Sequence, residues 1–178
     1  MLTKPKRTAR FYYLKFIRLR GEPLYLAKGV ALGIFIGITP TIPFHTVLIL
    51  GLALLLGASK ISSLLASWLV SNPLTIPAQY YFSWLLGKQL FPGYLSWEQI
   101  EFVMRKIEEG AGFFNTIHHL ANLGAKAITA MVAGGCLLAL PFTVAGYFIS
   151  LKIFQRIEAR RRLRRAATDD PDDQPSRP

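Results

Sequence analysis

The chain has 178 residues, of which 52% are hydrophobic and 17% charged, with a formal net charge of +11 and a mean hydropathy of +0.33. This is too apolar and too weakly charged for an ordinary soluble domain, and it reads as an integral membrane protein. The excess charge sits in two terminal clusters rather than on one folded face, which argues against nucleic-acid binding and for cytoplasmic ends that meet anionic lipid head groups.

The first cluster, within residues 1–22, contains Lys4, Lys6, Arg7, Arg10, Lys15, Arg18 and Arg20, all ahead of the first acid, Glu22. It resembles the start of a signal peptide. The apolar run that follows Lys28 is too long for one and lacks a small-residue cleavage site, so it reads as a retained membrane segment. Three apolar blocks follow within a membrane domain expected over residues 23–155: Gly29–Gly57, Ile61–Gly87 and Ala127–Leu151.

Block 29–57 is too long for one straight span, and Pro40 and Pro43 interrupt it. Block 61–87 is interrupted by Pro73 and Pro77 in the same way. Each therefore divides into two short helices, of the length typical of re-entrant or discontinuous elements. Lys60 is the sole charge from Val30 to Gly87 and marks a cytoplasmic turn if the first block re-enters.

Within these blocks, Gly29, Gly33 and Gly37 recur at every fourth residue, as do Ser59, Ser63 and Ser67. Both faces read as helix-packing surfaces that allow close backbone approach. The breaks themselves read "TPTIPFHT" and "SNPLTIPAQY", each containing Thr-Ile-Pro. Paired proline-broken segments point to the repeat architecture of many transporters, in which broken helices meet near the midplane. Asn72 before Pro73 has the form of an N-cap with proline at the first helical position, and Thr41 and Thr75 are placed to bond freed backbone groups. A helix that restarts in such a break presents unpaired N–H groups and a positive dipole end, suited to a phosphate or carboxylate. The competing account is structural, with these side chains satisfying the groups orphaned by proline. His45 is an ionisable group inside an apolar segment and a candidate anion contact or proton relay. Gln79 and Tyr80 are candidates to line the same place, giving a ligand-binding set of Thr41, His45, Asn72, Thr75, Gln79 and Tyr80.

The external loop, 88–126, is mildly acidic and contains an expected short amphipathic helix. There Ser96 and Gln99 have capping-box spacing, and Trp97, Ile100, Val103, Met104 and Ile107 share a face. The third block, 127–151, suits one transmembrane helix, expected to kink at Pro141 and to run on into the basic "IFQRIEARRRLRRAA". The remainder of 156–178 is an acidic tail expected to be disordered. Both termini lie in the cytoplasm if one of the first two blocks re-enters and the other crosses.

The lone Cys136 rules out an intramolecular disulfide. His118 and His119 have the wrong spacing for a metal pair on a helix, and no carboxylate lies between Glu22 and Glu98. No metal, no cofactor and no enzymatic activity are expected.

The two segments "AKGVALGIFIGITPTIPFHT" and "SNPLTIPAQYYFSWLLG" resemble the bacterial membrane domain family known as domain of unknown function 2062. The matching positions are Gly29, Gly33, Gly37, Pro40, His45, Asn72, Pro73, Thr75, Pro77, Tyr80 and Gly87. The resemblance covers roughly residues 20–155, with Pro43-Phe44 standing where a glycine often precedes the histidine. It implies a small protein of the bacterial cytoplasmic membrane and no established reaction. The expectation is an all-α, multi-pass membrane bundle with proline-broken helices that binds and translocates an anionic lipid or small anion. Paired half-sites of this kind are compatible with a homo-oligomer. The alternatives are a non-transporting assembly module and an intramembrane enzyme.

Overall fold

The computed structural model describes residues 19, 21–41, 44–72, 74–93, 96–98, 101, 102, 105 and 125–168. Among these the fold is all-α, with helices α1 (Pro23–Ile38), α2 (His45–Leu55), α3 (Lys60–Val70), α4 (Ile76–Leu90) and α5 (Ala125–Thr168). One helix is long and apolar enough to cross a bilayer, over Ala127–Leu163. Pro43, Pro73, the basic segment before Leu19, the acidic tail and most of the loop-helix positions lie outside the described residues. Of that loop helix, Glu101 and Arg105 form an i,i+4 ion pair at 3.4 Å.

Local chemistry sets the helix ends. Proline at the first position of α1 needs no N–H partner, and the helix starts there, ahead of the apolar run at Gly29. It stops at Pro40, where Thr39 directs both its N–H and its hydroxyl to the Phe35 carbonyl. Helix α2 ends in a Schellman motif: Gly57 adopts φ +56°, and Ala58 N–H reaches the Ala53 carbonyl at 2.8 Å. Ser59 then caps α3 by accepting from Ser62 N–H at 3.3 Å. Helix α5 runs unbroken for 44 residues with Pro141 inside it.

Small residues determine which helices touch. A Cβ built on Gly29 would lie 2.6 Å from the Ser59 carbonyl oxygen, and one on Gly33 only 2.1 Å from that of Ser63. On Gly37 it would lie 3.3 Å from Ser67 Cα. The three contacts advance together along both helices, so α1 and α3 run parallel. Helix α5 runs opposite to α1, since Arg161 donates to the Leu19 carbonyl, Gly146 meets Ile34 and Gly135 meets Pro40. Helix α4 is likewise antiparallel to α5: Gly87 packs on the Ala130 backbone, and Gly134 on that of Ser83. Helices α1, α3 and α4 therefore share one direction, and α2 returns between α1 and α3.

Three apolar clusters fill the contacts. Leu26, Ala27 and Val30 meet Ala66 and Phe154. Leu32 and Ile36 meet Ile49 and Ala53. Tyr80 meets Ala127 and Met131, with Trp84 and Trp97 packed beside them. Polarity is otherwise inverted: Ser62, Ser63, Ser67 and Ser83 are each 0% exposed, whereas Leu55 is 82% and Leu74 87% exposed.

Candidate functional site

The two breaks lie side by side because the helices that precede them pack in register. Ser71, just past α3, donates its hydroxyl to the Gly37 carbonyl near the end of α1 at 2.5 Å. At the first turn of α2, Nε2 of His45 hydrogen-bonds the buried Ser67 hydroxyl of α3. Its Nδ1 faces Thr41 Oγ1 at 3.4 Å. Gly135 brings α5 against Pro40 in the first break. By the register of the α1–α5 and α4–α5 contacts, this junction falls near the middle of the uncharged stretch of α5.

The second break is satisfied from within. Asn72 Oδ1 accepts from Leu74 N–H at 3.1 Å and Thr75 N–H at 3.2 Å. This is an Asx turn rather than the helix cap expected from the sequence: α4 begins only at Ile76, with Thr75 at its N-cap position and Pro77 in its first turn. The Val70 carbonyl, which has lost its helical partner, receives the Thr75 hydroxyl at 2.5 Å and the Gln79 amide at 2.9 Å. Asn72 Nδ2 reaches the Leu69 carbonyl at 3.3 Å. Asn72, Thr75 and Gln79 thus direct their side chains to the break's own backbone. Tyr80 is buried against α5.

The first break differs. Helix α2 opens at His45 with no side-chain cap among the described residues, so the N–H groups of its first turn lack partners within the helix. Among the ligand candidates, His45 and Thr41 are together here; Asn72, Thr75 and Gln79 are together in the second break, and the His45–Ser67 and Ser71–Gly37 bonds join the two groups. The packing residues also meet as two faces, Gly29, Gly33 and Gly37 against Ser59, Ser63 and Ser67.

Ser83, Gly134 and Gly135 are site residues that sequence reasoning missed. Their signal is present: Ser83 stands four residues after Gln79 and four before Gly87, and paired glycines inside a long apolar helix mark close approach. Among the described residues, no group of three or more His, Cys, Asp or Glu side chains forms a metal site.

The sequence matches the family described as an uncharacterized protein conserved in bacteria (DUF2062) over residues 6–163. The chain belongs to the DUF2062 family. The match extends on both sides of the two motif segments, taking in most of the basic arm and the basic continuation of α5. No curated protein and no solved structure matches the chain.

Proposed function

We propose that this DUF2062 protein is a multi-pass membrane protein whose midplane junction of broken helices binds and passes an anionic group, a lipid head group or small anion. In this reading α1 and α2 form a hairpin that enters the bilayer and returns. Helices α3 and α4, which share a direction, cross it as one interrupted span, and α5 crosses back. Lys60 stands beside the Ser59–Gly29 contact, and the α1–α5 register brings Lys28 level with Lys152. These lysines mark the cytoplasmic boundary, where positive charge is favoured. Lys88, next to the Gly87–Ala130 contact, marks the other. Trp84, Trp97 and Tyr81, with ring centroids 5.1–5.9 Å apart, and the Lys88 ammonium 5.3 Å from Trp84 form an aromatic belt there.

The observation that carries the proposal is the inverted polarity. Serines are sealed inside and large apolar side chains face outward on all five described helices, the arrangement that lipid rather than water rewards. Within that interior, His45 ties the hairpin to the crossing helix at the level where both backbones break, which is where alternating-access proteins place their sites.

The reading as a non-transporting assembly module draws on one observation, the internal satisfaction of the second break. One experiment separates the two. In a Cys136→Ala background, Thr41→Cys is exposed to a small membrane-impermeant thiol reagent from each side of sealed vesicles. Transport predicts labelling from at least one side. Protection from both sides, in protein shown to be folded and inserted, rejects transport in favour of assembly.

A further inference from the structure

We infer that the anionic group binds at the first break and not the second, as a phosphate or phosphodiester oxygen held by Ser83, His45 and the N-terminus of α2. This inference rests on the anion-binding reading above and assigns its place and chemistry.

Ser83 is the decisive residue. A hydroxyl inside an apolar helix ordinarily folds back onto a carbonyl three or four residues earlier. Thr39, Ser63, Thr129 and Ser150 all do so, to Phe35, Ser59, Ala125 and Tyr147. Ser83 is 0% exposed and has no hydrogen-bond partner among the described residues. Its hydroxyl instead faces Gly135 and the first break: a Cβ on Gly135 would lie 3.3 Å from Ser83 Oγ and 2.3 Å from Pro40 Cδ. A buried hydroxyl with no partner is unfavourable unless something else supplies one.

Two further donor sets converge on the same break. The 11-residue α2 begins there without a side-chain cap, presenting its first-turn N–H groups and positive dipole end. In the tautomer where Ser67 donates to Nε2 of His45, Nδ1 carries the proton and faces Thr41 over a long 3.4 Å. That N–H is available to a stronger acceptor. Every one of these groups donates. The second break offers no equivalent set, because Asn72 Oδ1 already accepts from Leu74 and Thr75.

The test uses the full chain in nanodiscs, with the ring signals of His45 followed by NMR and assigned by their loss in His45→Gln. One arm adds inorganic phosphate to neutral phosphatidylcholine nanodiscs; the other replaces part of the neutral lipid with phosphatidylglycerol. A saturable shift in the first arm identifies a free anion as the source, and a shift in the second alone identifies a lipid phosphodiester. Ser83→Ala removes a hydroxyl that bonds nothing among the described residues, so the variant is expected to keep its thermal stability and bind about tenfold more weakly. Undiminished binding by both Ser83→Ala and His45→Gln, measured by calorimetry, places the anion elsewhere and overturns this inference, leaving the anion-binding reading intact. Failure of both probes to bind the wild-type chain, by NMR and by calorimetry, overturns this inference and the anion-binding reading together.

Discussion

Replacing Gly33 with valine is expected to separate α1 from α3 and lower stability by about 3 kcal/mol, the upper end of overpacking costs. The first added atom alone would lie 2.1 Å from the Ser63 carbonyl oxygen and 2.9 Å from Ala66 Cβ. The obstacle is backbone, which cannot rotate away as a side-chain end can. Displacing it shifts the register that brings Ser67 to His45 and Ser71 to the Gly37 carbonyl. The effect should therefore extend from the interface to the junction. Gly51→Ala in α2 is the control, because nothing lies within 4 Å of a Cβ there. It should be neutral or stabilise slightly, since alanine is the better helix former. Unfolding of both variants in detergent, followed by circular dichroism, checks the difference.

Leu140→Asp is the second large effect. Leu140 is 51% exposed near the centre of the uncharged stretch of α5. On a water-soluble protein an outward leucine exchanged for aspartate would change stability by no more than about 0.5 kcal/mol. At the centre of a lipid-facing helix the same change costs about 2.5–3.5 kcal/mol on insertion scales. Membrane insertion assayed by carbonate extraction should fall markedly for Leu140→Asp, while Leu163→Asp, on the basic continuation of α5, should remain in the membrane fraction. Equal behaviour of the two variants would contradict the lipid-facing assignment of Leu140.

Much of this organisation is legible in the residues, because its causes are local. Four-residue spacing puts Gly29, Gly33 and Gly37 on one face whatever surrounds the helix; Pro40 ends an apolar helix by its own geometry, and Pro77, in the first turn of α4, marks where the next begins. The extension of α5 past Lys152 follows from the absence of any breaker after Pro141. Tertiary relations are not local. Whether α1 pairs with α3 in parallel depends on the offset at which Gly33 meets Ser63, and either orientation fits the same small-residue spacing. The start of α1 was obscured because Glu22 and Lys28 flank its first turns, placing the apparent apolar edge at Gly29 rather than Pro23. The candidate site divides in the same way. Asn72 before a proline announces a cap, but whether its oxygen serves backbone or ligand depends on the turn that forms around it. Ser83 resembles any other helical serine until its hydroxyl is seen directed away from its own helix.

A path through the junction requires that the first block enter and return and that the second cross. The most direct measurement places single cysteines at Lys60 and at Lys88 in a Cys136→Ala background and labels each from one side of sealed vesicles at a time. Lys60→Cys is expected to react from the side carrying the basic termini and Lys88→Cys only from the opposite side. Reaction of both from the same side would contradict this topology, because α3 and α4 would then form a second hairpin and the junction would not lie along a path through the membrane.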